Sequence, residues 1–558
     1  ERAELMVVQK EFEQVEGVSA IIYIQTCAAE KRRRRKKGLF PDPDQRVFIN
    51  SDVCEGCGDC GVQSNCVSIV PKETELGRKR AIDQSSCNKD FSCVKGFCPS
   101  FLTIEGAKIR KEPTAALDLP DLPTPELPSI NGTHNVVITG VGGTGVVTIG
   151  AVLAQAAQID GKGAGMMEMA GLAQKGGAVH IHCRIANKPE DISAIRVATG
   201  ECDALIGGDL VVSAGAKTIG LMKTGKTGAV VNSHEIITGD FTRDTEFQIP
   251  SDRLQVALEA RLRERLDLFD ASELARASMG DSIFSNMMVF GAAWQRGLLP
   301  ISLEAIQEAI TLNGAAVERN LRAFDIGRWA VLYPQEAARL AEPNVVELPK
   351  TLDEKITFRK AHLTDYQGPR LAKRYAKMLD GISDKALKEA VAKGYHKLLS
   401  YKDEYEVARL LLSSREKAEA EFEGDLKISY NLAPPMLTGT DPNGRPKKRK
   451  FGPGMERWLR LLAKFKGLRG TPLDLFGYTA ERKMERALIK QYESDMKEWL
   501  PKASPEIMEP LIALAELPLE IRGFGPVKQA NEAKAAKRRE EILSVLRQGG
   551  EPMKTAAQ

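Results

Sequence analysis

Seven of the ten cysteines in this 558-residue chain fall in one stretch, Cys54 to Cys98. They begin as Cys54-x2-Cys57-x2-Cys60, continue with Cys66, Cys87 and Cys93, and close on Cys98-Pro99. Two-residue gaps let a loop turn three thiols onto one metal centre, and Gly56 and Gly58 leave room for that turn. A remote cysteine followed by proline is the usual closing ligand of an iron–sulfur site. The spacing therefore predicts at least one [4Fe–4S] cluster. Structural zinc asks for two CxxC pairs, or one pair with two histidines, and no histidine lies between Cys54 and Cys98. Disulfides need an oxidising compartment, and the visible start carries no secretory signal. If the fourth thiol of each run serves the other cluster, Cys98 completes a centre with Cys54, Cys57 and Cys60. Cys66, Cys87 and Cys93 then form a second centre, short of one thiol. It needs a non-cysteine ligand, a distant thiol such as Cys27, or a three-iron form. A single cluster closed by Cys66 or Cys98, with the other cysteines structural, fits the spacing as well.

A second stretch carries chemistry of another kind. An apolar run, Asn135 to Thr139, reads as a strand; Gly140, Gly142, Gly143 and Gly145 follow as G-x-G-x-x-G, and Val146 to Gln158 reads as a helix. Such a turn brings backbone amides to a helix N-terminus, where phosphates bind. An NAD site also needs an acidic residue at the end of a second strand about 20 residues on. Asp160 has the distance but sits in the loop-like Asp160-Gly161-Lys162-Gly163. The expectation is a Rossmann-like fold that does not hold NAD. His180 and His182 share one face of the strand Ala178 to Ile185. With no third ligand nearby, packing or loop hydrogen bonding is their expected role.

The elements that position these residues follow in order. Residues 1–50 open with a helix, Ala3 to Val15, and a buried β-branched strand, Val18 to Ile24. A basic run, Lys31 to Lys37, is most often a solvated loop or a nuclear address; beside an iron–sulfur domain the expectation is an electrostatic surface that meets an acidic protein or a phosphorylated cofactor, with a plain interdomain contact as the alternative. The cysteine-rich domain is placed at residues 51–112 and a proline-rich, extended linker at 113–132. An α/β domain is placed at 133–340, with short strands Ala204 to Ile206 and Ala229 to Val231. Its flexible loop is Gly171 to Gly177, and its helices are Leu254 to Leu268, Ser285 to Gln295, Leu303 to Leu312 and Ala315 to Trp329. Residues 341–558 read as almost wholly helical, with an irregular insert from Leu432 to Gly454 and a basic tail. The fold class is α/β, with a ferredoxin-type domain before the Rossmann-like one and a mainly α-helical domain after it.

Hydrophobic content of 43% and charged content of 28% describe an ordinary globular chain. A net charge of +4 is too small at this length to suggest nucleic-acid binding. Val136 to Gln158 carries no charge, but its five glycines suit a strand–turn–helix better than a membrane span. A cytoplasmic protein with no membrane partner is expected. The start at Glu1 and the mid-fold character of the opening segment predict a piece of a longer polypeptide.

Taken together, Gln25-Thr26-Cys27, the cysteine-rich insert and Val136 to Gly145 resemble the 2-oxoacid:ferredoxin oxidoreductases, and most nearly their long, fused indolepyruvate form. The resemblance continues through Gln174 to Gly177, Arg184, Asp203 to Asp209, Asn286, Gly291 and Asn320 to Gly327. It implies that residues 1–50 end a thiamine-diphosphate-binding domain and that the cysteine-rich domain passes electrons to ferredoxin. It makes residues 133–340 a γ-type domain that shapes the substrate side of the site and can contact coenzyme A. The implied reaction is oxidative decarboxylation of an aryl-2-oxoacid, such as indolepyruvate, to an aryl-acetyl-CoA. A homo-oligomer is implied as well. Thiamine diphosphate and Mg²⁺ need a Gly-Asp-Gly motif, which this chain lacks, so that apparatus is expected upstream and no catalytic residue is assigned. Two other readings compete: an NAD(P)-linked iron–sulfur oxidoreductase and a non-catalytic iron–sulfur scaffold.

Overall fold

The structure, a computed structural model, describes residues 2–110, 117–170, 177–236, 241, 244, 246–342, 349, 351–434, 439 and 445–549. The chain divides into two compact units. The first comprises Glu1–Asp44 with Asn88–Asp90. It contains two helices, Arg2–Phe12 and Ala28–Lys36. The expected strand Val18 to Ile24 is not formed, and Val18, Ile22, Tyr23 and Ile24 lie exposed. A β-branched run becomes a strand only beside a partner, and the described residues of this unit offer none. The basic run departs from expectation in the other direction and is helical. Arginine and lysine are good helix formers, and Glu30 neutralises Arg34 at 3.1 Å and Arg33 at 3.4 Å.

The second unit comprises Gln45–Cys87 and Phe91–Gln558. Its cysteine-rich part is built on β1 (Arg46–Ile49), β2 (Ile69–Lys72), β3 (Lys79–Ile82), β4 (Phe101–Glu105) and β5 (Lys108–Ile109). β1 pairs antiparallel with β4, and β2 with β3, so the cysteine loops hang between two short ladders. Residues 46–49, read from sequence with the N-terminal segment, therefore belong to this part.

The α/β part has β6 (Thr133–Val141), β7 (Gly163–Ala170), β8 (Ala178–Ala186), β9 (Ala204–Gly207), β10 (Gly228–Asn232) and β11 (Leu266–Phe269), in the order β11-β10-β9-β6-β8-β7. The first four in that order run parallel, while β8 runs antiparallel to both β6 and β7. Alternation in β6 serves both faces. Val136 and Ile138 enter the core with helices Val146–Ile159, Ser285–Gln295 and Val317–Leu332, while Val137 enters the core under helix Ser251–Leu262. The expected helix Leu254 to Leu268 ends at Leu262: Arg263 turns left-handed, and Leu266–Phe269 pairs with β10 instead.

The linker is strapped to this part rather than free. Leu117, Leu119, Leu122 and Ile130 pack on its core, and Gln295 donates to the Pro123 carbonyl at 2.8 Å. The remainder is helical around its own core of Leu363, Tyr375, Tyr395, Tyr492 and Leu511, but it also contains β12 (Phe422–Glu423), β13 (Lys427–Leu432) and β14 (Arg449–Phe451). β13 pairs antiparallel with β4, giving a four-stranded sheet β1-β4-β13-β14. The C-terminal part thus completes the sheet of the cysteine-rich part. The sequence segments Lys111 to Ala116, Gly171 to Gly176, and most of Pro435 to Gly444 lie outside the described residues, as does the tail past Gly549. No described helix is long and apolar enough to cross a membrane.

Candidate functional site

Cys54 and Cys57 lie on the loop after β1, Cys60 in the short helix Asp59–Ser64 that follows it, and Cys98 on the approach to β4. Gly56 and Gly58 adopt left-handed φ values of 68° and 77°, which spare the turn the Cβ clash of other residues. A Cβ on Gly96 would lie 2.9 Å from the Cα of Cys60, so the two cysteine loops touch at backbone level. Cys54, Cys60, Cys93 and Cys98 are buried, and Cys57, Cys66 and Cys87 partly so. Burial, then the neighbouring thiols Cys98, Cys54 and Cys60, push the Cys57 thiol far up. Burial and Cys54 push Cys98 up to about 11, against the hydrogen bond with Ser100. Cys60 rises through burial and through Cys54, Cys98 and Cys93. These mutual effects couple Cys57, Cys60 and Cys98 to one another and to Cys54, and Cys60 to Cys93 as well. Crowded, desolvated sulfurs ionise together only around a metal cation, which strips the thiol proton outright.

The surroundings suit thiolates. The Gly56 amide donates to Cys54 Sγ at 3.4 Å, and the Ser100 hydroxyl lies 2.9 Å from Cys98 Sγ. Arg80 of β3 supplies positive charge beside Cys60 and Cys54, and the C-terminal part adds more. Lys448 Nζ donates to the Cys98 carbonyl at 3.1 Å. Lys402 Nζ donates to the carbonyls of Val53 and Cys54, both at 3.1 Å. Arg445 binds Asp59 at 2.7 Å, and the other oxygen of Asp59 accepts the Phe97 amide at 2.7 Å. Phe524 and Leu459 belong to the same apolar core as Cys54, Cys60, Cys93 and Cys98. Among the described residues, no three His, Cys, Asp or Glu side chains converge as ligands of a single metal ion. A [4Fe–4S] cluster asks for something else, one thiolate on each of four separate irons, and the desolvated, mutually coupled thiols Cys54, Cys57, Cys60 and Cys98 are the donor type that suits it. Cys66 and Cys87 pack at the edge of the same apolar core. Sequence reasoning missed Lys402, Arg445 and Lys448, although the run Lys447 to Lys450 was a visible signal.

The glycine loop lies at the C-terminal ends of β6 and β9, where the chain order in the sheet switches direction. Gly143 and Gly145 have φ values of 101° and 85°, and a Cβ on Gly145 would lie 2.1 Å from Nδ2 of Asn286. The loop spends some of its amides internally: Gly142 donates to the Gly177 carbonyl at 2.8 Å and Thr144 to Val141 at 3.2 Å. Gly208 donates to the Thr139 carbonyl at 2.7 Å, which sets Asp209 beside the loop. Asp209 is fully buried and accepts the Val212 amide at 2.9 Å. Burial pushes it up to about 6, against the amides of Val212, Val211 and Val141. Asp160 is held elsewhere, accepting the amide of Ser302 at 3.0 Å and its hydroxyl at 2.7 Å. His182 accepts the Val197 amide at 3.0 Å, and His180 lies 3.2 Å from the Thr218 hydroxyl.

Residues 135–330 match the family described as pyruvate ferredoxin/flavodoxin oxidoreductase. Residues 352–541 match a family of unknown function, DUF6537. The indolepyruvate oxidoreductase subunit IorB of Archaeoglobus fulgidus is 29% identical over 195 residues, covering 35% of this chain and 92% of that protein. The subunit of the same name from Pyrococcus horikoshii is 29% identical over 197 residues, 35% of this chain and 94% of that one. Among solved structures, the gamma subunit of a keto/oxoacid ferredoxin oxidoreductase from Geobacter sulfurreducens is similar over 36% of this chain and 99% of its own. That similarity comes at 25% identity and a TM-score of 0.26. The α/β part is thus the stretch that matches the pyruvate ferredoxin/flavodoxin oxidoreductase family. Through it the chain is similar to the 2-oxoacid:ferredoxin oxidoreductases over 35% of its length.

Proposed function

We propose that this chain is the electron-relay and γ-type portion of an aryl-2-oxoacid ferredoxin oxidoreductase, working with a thiamine-diphosphate-binding partner and passing electrons to ferredoxin. The observation that carries the reading is the set of desolvated, mutually coupled thiols Cys54, Cys57, Cys60 and Cys98 in the same chain as the stretch that matches the oxidoreductase family. A [4Fe–4S] cluster bound there supplies a one-electron couple. The chain's residues tune it. The Gly56 amide and Ser100 hydroxyl stabilise thiolate charge, Lys448 and Lys402 add positive potential, and Phe524 with Leu459 limits water; each is a lever on redox potential. Cys66, Cys87 and Cys93 remain the proposed ligands of any second centre. The remaining amides of the Gly140, Gly142, Gly143 and Gly145 turn are the proposed seat of the coenzyme A diphosphate.

The sheet order argues against NAD at that turn. The strand after helix Val146–Ile159 is β7, separated from β6 by β8, and Asp160 is committed to Ser302. No acid of that segment therefore stands beside the loop to bind a ribose.

An electron relay alone does not lower a decarboxylation barrier. The chain by itself is therefore expected not to oxidise indolepyruvate or phenylpyruvate, although dithionite bleaches its visible absorbance. Joined to a thiamine-binding partner, the same band should bleach on addition of aryl-2-oxoacid and coenzyme A. Turnover by the isolated chain contradicts the proposal.

A further inference from the structure

The strongest feature outside the sites above is a cavity of about 360 Å³ where the β2–β3 hairpin meets the C-terminal helices Leu352–Tyr366 and Lys385–Leu399. Eight of its lining side chains are lysines or arginines, against two carboxylates, Glu55 and Glu75. The pairing is uneven. Lys397 and Lys402 share the single carboxylate Glu55. Lys355 and Lys393 share Glu389, at 3.0 and 2.8 Å. Arg359, Arg78 and Arg522 each have one partner, Glu75, Glu73 and Glu246. Among the described residues Lys79, only 7% exposed, has no carboxylate within ion-pair distance. Seven cations thus share five carboxylates, and Lys79, which burial lowers to about 7, has none among the described residues. Arg359 is 4% exposed, and its Nε is a buried donor with no acceptor among the described residues. His362 and His396 lie on the same wall, ring nitrogens 3.1 Å apart.

An excess of desolvated positive charge is costly unless an anion completes it. A donor such as Arg359 Nε asks for an oxygen-rich acceptor, and phosphates match guanidinium forks and lysine points best. The cavity is at the small end of ligand sites, and among the described residues no Phe, Tyr or Trp lines it; its only rings are the imidazoles of His362 and His396, which are engaged with each other. We propose that this cavity, built jointly by the cysteine-rich hairpin and the C-terminal domain, binds an oligophosphate group, and that it recognises the phosphates rather than a nucleoside.

Calorimetry on the whole chain, at constant ionic strength, tests this with sodium tripolyphosphate, pyrophosphate, ATP and sulfate. Tripolyphosphate and pyrophosphate are expected to bind at micromolar concentrations, with ATP within about tenfold of tripolyphosphate and competing with it. Lys355→Gln with Lys393→Gln, at partly exposed positions, should weaken tripolyphosphate at least about tenfold, roughly 1.4 kcal/mol. Arg359→Gln should weaken it further, and its thermal unfolding will show whether it folds. The proposal is overturned if tripolyphosphate binds no better than sulfate. It is also overturned if the double lysine variant keeps full affinity, or if ATP binds about a hundredfold more tightly and is not displaced by tripolyphosphate. None of these readouts depends on redox activity.

Discussion

Each cysteine of the proposed relay is distinguished by what surrounds it. Cys57, Cys60 and Cys98 each feel the other thiols of the pocket. Replacing any one by serine is therefore expected to remove the first centre, read as loss of iron, of acid-labile sulfide and of the broad visible band near about 400 nm. Cys66→Ser should keep that centre if, as proposed, Cys98 closes it; equal loss in both variants contradicts that assignment. Asp209 offers a pH test. Its folded value, about 6, lies above the usual 3.8, so the folded chain binds the extra proton between those values. Stability should fall as pH rises from about 4 to 6, by about 2 to 3 kcal/mol on this group's account, and then level off. Comparing denaturant unfolding of the natural chain and Asp209→Asn from pH 4 to 8 should show that slope absent in the variant. The thiol pattern and the glycine turn were legible in sequence because their chemistry depends on local spacing. Asp209 was not, because its character comes from burial beneath a turn 64 residues earlier in the chain.

Periodicity identified the elements where local preference and tertiary context agree. Ser285–Gln295 was legible to the residue, and β6, β8 and the helix Val146–Ile159 to within a few. It failed where a neighbour decided the outcome. Leu266–Phe269 continues a helical pattern but gains a ladder with β10, and Lys427–Leu432 lies in a helical region but pairs with β4. β7, with two glycines and three methionines, carries no strand signature and is held by β8 along its whole length. Two glycines quoted only for family resemblance have a physical role. A Cβ on Gly291 would lie 2.0 Å from the Phe324 carbonyl oxygen, and one on Gly327 would lie 1.9 Å from that of Met288. They let helices Ser285–Gln295 and Val317–Leu332 cross at backbone contact. Gly327→Ala must push the two helices apart and should cost at least about 2 kcal/mol in chemical denaturation. A loss within ~0.5 kcal/mol would show that the crossing is not tight.

At the scale of the molecule, the C-terminal part is structurally inseparable from the proposed relay. It adds β13 and β14 to the sheet of β1 and β4 and lends Lys402, Arg445 and Lys448 to the cysteine loops. Read as sequence, it was a helical extension of no derivable role, since strand pairing over more than 300 residues of separation leaves no local trace. Ending the chain at Ala341 should expose the edge of β4 and unbalance the cysteine pocket, giving aggregation in size-exclusion chromatography and depressed iron content. A monodisperse, fully loaded truncation would refute that dependence. The central claim is that these cysteines hold an iron–sulfur relay. Metal and sulfide analysis of the anaerobically prepared 558-residue chain, with electron paramagnetic resonance after dithionite, tests it most directly. The account predicts iron and acid-labile sulfide in equal amounts, at least about four of each per chain, and a signal from the reduced cluster. Zinc in place of iron, or iron without sulfide, would contradict it.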